Sequence, residues 1–296
     1  MKPFVIVNPA AGSTATQEAL REKLGRLHPK EHYSTRHPGD AEAFACKAIR
    51  AGCNYIISAG GDGTLNEIVN AIARSRGKRK VAVGILPLGT GNDFARTLGL
   101  PSDIDENIDI LRAKKTTPID LVRVKSKHTR YFVNVSSGGF SGVVDEKLTP
   151  DIKRLWGPLA YLRGAAAALP KLRAYRSTIV LDDDKPLSMD LYNLVVANGR
   201  FVAGGIPIAP KANPSDGLFD VILIRARPPA EMALLAAQIF LGKHLASDTI
   251  IFRRATRVAI KSRPGMSLNT DGEPIGNMPA VFQVVPGALN FVTNKA

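Results

Sequence analysis

Short apolar runs alternate with helix-period segments along the first 120 residues. Phe4-Val5-Ile6-Val7 is apolar and β-branched, which predicts a buried strand. A loop of small residues follows from Asn8 to Thr14. Leu20, Leu24 and Leu27 then share one face of a helix predicted over 16–27. A second helix is predicted over 40–51, with Asp40 as its N-cap and Gly52 just past its end. Tyr55–Ser58 predicts a strand, Gly60–Thr64 a glycine-rich loop, and Leu65–Ala73 a helix. Val81–Leu86 predicts another strand. It ends in Pro87-Leu88-Gly89-Thr90-Gly91-Asn92-Asp93, with a helix from about Phe94. Repeated β-loop-α units of this kind predict an α/β domain with a mostly parallel sheet and helices on both faces.

After about Pro118 the texture changes. Ile119–Val124, Tyr131–Val135, Ser177–Leu181, Leu191–Val196, Phe219–Ile224, Arg257–Ile260 and Val281–Val285 are short strand-like runs bounded by turn residues. Helical insertions interrupt them over roughly 152–172 and 229–241. The expected organisation is an α/β domain over 1–120 and a β-rich domain over 121–296. No internal repeat or low-complexity segment is visible.

Hydrophobic residues make up 45% and charged residues 22%, which excludes collagen-like, disordered and disulfide-dense chains. Forty Lys+Arg against 26 Asp+Glu leave a net charge of +14. That excess favours polyanionic partners: nucleic acid, an anionic membrane or phosphorylated small molecules. Cys46 and Cys53 are two helical turns apart and form no Cys-x-x-Cys pair, so they read as reduced thiols. No signal peptide is expected, because Phe4–Val7 is too short for a secretory core and meets Asn8-Pro9 at once. Ala230–Leu241, the most apolar long stretch, falls short of the ~20 residues that span a bilayer. The five histidines show no metal-ligand spacing.

Two glycine-rich loops carry the chemistry. Where a strand turns sharply into a helix, the first helical amides are left unpaired, and the helix dipole favours an anion beside them. Gly60-Gly61-Asp62-Gly63-Thr64 therefore reads as a phosphate cradle at the carboxyl end of a parallel sheet, and Gly89-Thr90-Gly91-Asn92-Asp93 has the same context one strand later. Alone, either would be an ordinary tight βα turn. Neither matches a P-loop or a dinucleotide-binding fingerprint. A carboxylate in a phosphate loop implies a bridging cation, which assigns Asp62 and Asp93 to a metal–nucleotide complex. An N-cap is the alternative for Asp93.

Taken together, these residues resemble a known family. Asn8-Pro9 with Gly12, the block from Gly60 to Glu67 and the block from Pro87 to Arg96 are similar to the diacylglycerol kinase catalytic-domain family. Ile208-Ala209-Pro210, Asp216-Gly217-Leu218 and the run from Asn269 to Glu273 extend the likeness, which covers about residues 4 to 292. The Gly60–Glu67 block is shared in part with NAD kinases and phosphofructokinases. The Gly89–Arg96 block with the late Asp-Gly-Glu is more specific. The resemblance is closest to the bacterial soluble lipid kinases, which are related to sphingosine kinases.

The resemblance implies an α/β nucleotide domain, a β-sandwich second domain and an active site in the cleft between them. It implies transfer of the ATP γ-phosphoryl group to a lipid hydroxyl, with ATP and Mg2+ as cofactors. Glu273 matches the family's proton acceptor, and Asp271 would assist it or hold Mg2+. From the residues alone, Asp271-Gly272 is a β-turn signal. Asn8, Thr35, Gly60, Gly61, Asp62, Gly63, Thr64, Leu65, Asn66, Gly89, Thr90, Gly91, Asn92 and Asp93 are the expected nucleotide-binding positions. Asn213, Asp216 and the Leu218 carbonyl would hold a second Mg2+, against an Asx-type turn as the plainer reading.

A lipid acceptor implies work at an anionic membrane surface from the cytoplasm, with no nucleic acid partner, and a homodimer is compatible with the chain. Lys153, Arg154, Trp156, Tyr161, Arg163, Lys171, Arg173 and Arg176 mix cations with aromatics and are the expected membrane contact, against a helix packed on the sandwich with basic flanks as the plainer reading. The run from Arg74 to Lys80 reads as a solvated basic turn. Ser141–Asp145 and Ala203-Gly204-Gly205 depart from the family pattern where the acceptor would bind, and leave the lipid open. The alternatives are an NAD kinase-like enzyme acting on a ribose hydroxyl and a non-catalytic nucleotide- or polyanion-binding protein.

Overall fold

The computed structural model describes residues 2–11, 17–75, 81–139 and 172–294. Gly12–Thr14, Arg76–Lys80, Ser141–Asp145 and nearly all of the helix expected over 152–172 lie outside the described residues. The chain divides into two compact units: Met1–Leu121 with Pro286–Ala296, and Val122–Val285. The C-terminal residues, expected in the second domain, thus cluster with the first.

In the first unit, strands β1 (Phe4–Val7), β2 (Glu31–Ser34), β3 (Tyr55–Gly60) and β4 (Ala82–Pro87) run parallel. β1 lies between β2 and β3, and β4 pairs next with Asn290 and Phe291 at the end of β15 (Ala280–Val292). β1 and β3 are buried along their whole length, so their sequences are apolar runs rather than alternations. Helices α1 (Gln17–Gly25), α2 (Asp40–Arg50), α3 (Asp62–Arg74), α4 (Asp93–Thr97) and α5 (Ile104–Ala113) complete the layer architecture. Leu20 and Leu24 of α1 share one apolar cluster with Val5, Ile57 and Leu111, as their spacing predicts; Leu27 joins it from the turn after the helix, which ends at Gly25 rather than at 27.

Within the first unit the sequence reading misses two elements. β2 carries only one half-buried residue, Tyr33, so its hydrophobic signal is weak. α5 is signalled by Asp103, whose side chain caps the amides of Asp105 and Glu106, and by Ile104, Ile108 and Leu111 at i, i+4, i+7 spacing, which the sequence reading passes over. One cap is also corrected. Gly39, at φ 91°, precedes α2. Asp40 is the first helical residue, and its carboxylate accepts the loop amides of Arg36 and His37.

The second unit is antiparallel. β9 (Leu187–Ala197) pairs with β7 (Val135–Gly139), β8 (Tyr175–Leu181) and β10 (Phe219–Arg225). β10 pairs on with β11 (Ile250–Ala255), and β8 with β12 (Arg257–Arg263). Leu194 and Val196 of β9 enter one apolar cluster, while Val195 and Ala197 enter a second on the other face. Helix α6 (Pro229–Phe240) closes the second cluster with Met232 and Leu235.

The run Tyr131–Val135, expected as one strand, is split into β6 (Thr129–Phe132) and β7. Between them Val133 and Asn134 leave the ladder, because their amides are taken by a carboxylate far along the chain.

Candidate active site

The carboxyl ends of β1, β3 and β4 are level with one another. Val7 is opposite Ala59, and Gly60 is opposite Pro87. Asn8 continues β1 by donating its amide to Ala59 O at 2.9 Å. Its Oδ1 accepts the Ala10 amide, and its Nδ2 lies 3.4 Å from Thr64 Oγ1. Thr35 follows β2, is buried, and donates its amide to Val7 O. Asn8, Thr35 and the Gly60–Thr64 turn therefore sit around one end of this sheet.

The turn from β3 into α3 leaves an open helix start. Gly61 is the N-cap residue, and no side chain caps the helix. The first intrahelical bond from this turn is Leu65 N–H to Gly61 O at 3.2 Å, so the amides of Asp62, Gly63 and Thr64 precede it. Nothing lies within 4 Å of where a Cβ on Gly63 would stand. Glycine inside a helix costs about 1 kcal/mol against alanine. No protein neighbour demands it at Gly63, so the space beside it is open to a ligand.

Gly61 and Gly89 meet a different need. A Cβ on Gly89 would stand 2.5 Å from Gly61 Cα, and one on Gly61 would stand 3.3 Å from Gly89 Cα. The two loops touch through their glycines. A Cβ at Gly60 would strike Thr64 in the same turn.

The second loop is not a second copy of the first. Asn92, at φ 52°, precedes α4, and Asn92 Oδ1 accepts the Gly89 amide at 3.0 Å. The start of α4 is already closed: the Asp62 carboxylate accepts the amides of Asp93 at 3.2 Å and Phe94 at 3.3 Å. Two equivalent cradles were expected; here one helix start is open and the other is capped from the neighbouring loop. Asp93, the first residue of α4 rather than its cap, is buried and pairs with Arg96 at 3.0 Å. Thr90 is exposed, and Gly91 lies beside it. Leu65 and Asn66 are buried, and Asn66 Oδ1 accepts from Asn70, so neither side chain faces solvent.

Glu67, given no role by the sequence reading, closes α2. Its carboxylate accepts the amides of Gly39 at 2.9 Å, Ala41 at 3.0 Å and Glu42 at 3.3 Å. This gives the first amides of α2 carboxylate acceptors, an arrangement that the helix dipole favours. Glycine at the cap position signals that a side-chain cap is missing, but nothing in the local sequence names Glu67 as the residue that replaces it.

In the second unit, β13 (Ser267–Thr270) and β14 (Glu273–Asn277) form a hairpin through Asp271-Gly272, both at positive φ. The Asp271 carboxylate accepts the amides of Val133 at 3.2 Å, Asn134 at 3.2 Å and Val135 at 3.0 Å. Asn134 is held further by its Nδ2 on Phe201 O, and Asn198 Nδ2 donates to Val133 O. Asp271 is thus committed to organising the β6–β7 junction. Glu273 is the opposite case. Its side chain is exposed and forms no hydrogen bond or ion pair among the described residues.

Each side-chain oxygen of the loop expected to hold a second metal ion already accepts a protein donor. Asn213 Oδ1 accepts the Ser215 amide, and Asp216 Oδ1 accepts the Leu218 amide, which makes paired Asx turns. Asp216 Oδ2 pairs with Arg254, which also lies 3.4 Å from buried Asp220. A cation placed on Asp216 would meet the Arg254 guanidinium, so the loop as arranged does not fit Mg2+. Among the described residues no cluster of three or more His, Cys, Asp or Glu side chains could hold a metal ion. Burial pushes the Asp220 carboxyl up to about 6, with Arg254 opposing the shift.

Comparison with known proteins agrees with both halves of the chain. The diacylglycerol kinase catalytic domain family matches residues 2–124, and the YegS C-terminal NAD kinase beta sandwich-like domain matches residues 134–293. A protein of Staphylococcus haemolyticus named diacylglycerol kinase is 33% identical over 98% of this chain and 88% of its own. A crystal structure of a diacylglycerol kinase from Bacillus anthracis is 21% identical, with TM-score 0.76, over 99% of this chain and 97% of that one. An NAD kinase from Archaeoglobus fulgidus, solved in complex with ATP, shares the fold at 14% identity and TM-score 0.55, over 99% of this chain and 94% of its own.

Proposed function

The chain belongs to the diacylglycerol kinase family and is a lipid kinase; on that premise we propose that it transfers the γ-phosphoryl group of ATP to the hydroxyl of a glycerolipid such as diacylglycerol. The observation that carries the nucleotide half is the uncapped start of α3 beside Gly63. Unpaired amides and the helix dipole favour phosphate there. Asn8, Thr35 and the Gly89–Asp93 loop would border the same ligand. Magnesium would neutralise the phosphate charge that develops in transfer. Asp62 suits it, because its carboxylate spends two of about four lone-pair sites on amides.

Glu273 would act as the base. As the lipid oxygen bonds to phosphorus and the bond to the β-phosphate oxygen breaks, the hydroxyl proton passes to the Glu273 carboxylate. ADP leaves with the released electron pair. Of the two acids in this hairpin, Glu273 has a side chain uncommitted among the described residues, whereas Asp271 is held by three amides. The acceptor reaches the enzyme at a membrane surface from the cytoplasmic side.

A panel of lipid alcohols in mixed micelles with γ-labelled ATP tests the reading. Label is expected in the phosphorylated glycerolipid. Label in a dinucleotide when NAD is supplied would favour the ribose-phosphorylating alternative, and ATP binding without turnover on any acceptor a non-catalytic role.

A further inference from the structure

We propose that the solvent face of helix α6 is a docking surface for an anionic lipid bilayer, an inference that rests on the lipid kinase reading for its purpose but not for its geometry. Among the described residues the exposed large hydrophobic side chains are Leu234 at 61%, Phe240 at 36% and Leu241 at 65%. All three lie on α6 or the residue after it. Ala230, Leu234, Ala237 and Leu241 follow i, i+4, i+7, i+11 spacing, with Ala233 and Phe240 beside them. They form one row opposite Met232 and Leu235, which enter the core. A helix on a protein surface normally turns charged or polar residues to water. Here Glu231 is the one charged side chain of the helix, and it sits within 4.0 Å of Arg227.

The surroundings choose the occupant. Arg225 and Arg227 lead into the helix and Lys243 follows it, on a chain of net charge +14. Apolar row and basic ends together match a bilayer with anionic headgroups, where the row enters the acyl boundary and the cations meet phosphate. A second copy of the chain fits less well, because a two-fold contact would set the same basic ends against one another. At 12 residues the helix is too short to span a bilayer, and it would lie in the plane of the surface. Its residues are not those of the 153–176 segment that the sequence predicts as a membrane contact.

Vesicle co-sedimentation of the full chain tests the proposal, with vesicles of 30% phosphatidylglycerol in phosphatidylcholine as probe. The double variant Leu234→Glu/Leu241→Glu should lower the partition coefficient about tenfold or more. Its melting temperature should match the wild type, because both side chains are already in water. Lys243→Glu should weaken binding to these vesicles and leave the weaker binding to pure phosphatidylcholine unchanged. On long-chain diacylglycerol in vesicles the double variant should turn over more slowly, while on monomeric short-chain diacylglycerol it should match the wild type. Vesicle binding that depends on Leu234 and Leu241, in a protein that phosphorylates neither lipid, would remove the kinase reading and keep this surface. Wild-type partitioning by the double variant, absence of vesicle binding by the wild type, or conversion of a wild-type dimer to monomer by the substitutions would each overturn it.

Discussion

Asp271 and Val135 hold each other twice: the Val135 amide donates to Asp271 Oδ1 at 3.0 Å, and the Asp271 amide donates to Val135 O at 2.9 Å. The β13–β14 hairpin is thereby fixed to the β6–β7 junction. Asp271→Asn replaces one acceptor oxygen by a donor facing backbone N–H groups. It should cost about 2 kcal/mol or more, since hydrogen bonds to charged groups are the stronger class. Glu273→Gln, exposed and unpartnered among the described residues, should leave stability within about 0.5 kcal/mol. Urea denaturation of the two variants measures the contrast. Equal stability of both would remove the anchoring role of Asp271.

Two glycines of the nucleotide loops should respond in opposite ways. Gly63→Ala meets open space and gains helix propensity, so its stability should rise by up to about 1 kcal/mol while ATP affinity falls. Gly89→Ala puts a methyl 2.5 Å from Gly61 Cα, so it should lose about 1–3 kcal/mol. Calorimetric ATP titration beside thermal melts distinguishes them. Unchanged ATP affinity in Gly63→Ala would mean that the open helix start is not the phosphate site.

Asp62 joins the two loops by capping α4. Asp62→Asn should cost about 1 kcal/mol as a weakened cap. It should also raise the Mg2+ concentration needed for half-maximal turnover. A stability loss with an unchanged Mg2+ dependence would leave Asp62 a cap and nothing more.

Asp220 predicts an unusual pH dependence. Its folded carboxyl titrates near 6, above the ordinary value of 3.8, chiefly because it is buried. The folded state therefore holds a proton between about pH 4 and 6 that the unfolded state has released. This group's contribution makes stability fall as pH rises through that window, by about 2–3 kcal/mol in all. Buried His244 acts with the opposite sign, because burial lowers its affinity for protons. Asp220 is thus best isolated by difference: the stability of wild type minus that of Asp220→Asn should fall as pH rises from about 4 to 6. Parallel stability curves for the two proteins would contradict the assignment.

The parallel half of the fold was legible because β1, β3 and β4 are buried runs, and buried runs advertise themselves in hydrophobicity. The edge strand β2 was not, since a single half-buried residue, Tyr33, leaves no periodicity to read. Gly60–Thr64 was legible as a helix start that needs an anion. That Asp62 and Glu67 would close the starts of α4 and α2 was not, because each carboxylate meets amides at least 25 residues away. Asp271 shows the same limit more sharply. Asp-Gly announces a turn from local sequence alone, yet the carboxylate's partners lie over 130 residues upstream.

The division of labour between Glu273 and Asp271 is tested most directly by single-turnover phosphorylation of diacylglycerol in mixed micelles with γ-labelled ATP, wild type against Glu273→Gln. A general base contributes about 10²–10⁴-fold. The expected result is a rate loss of that size in Glu273→Gln, with ATP affinity and melting temperature unchanged. Turnover by Glu273→Gln at the wild-type rate would contradict the account.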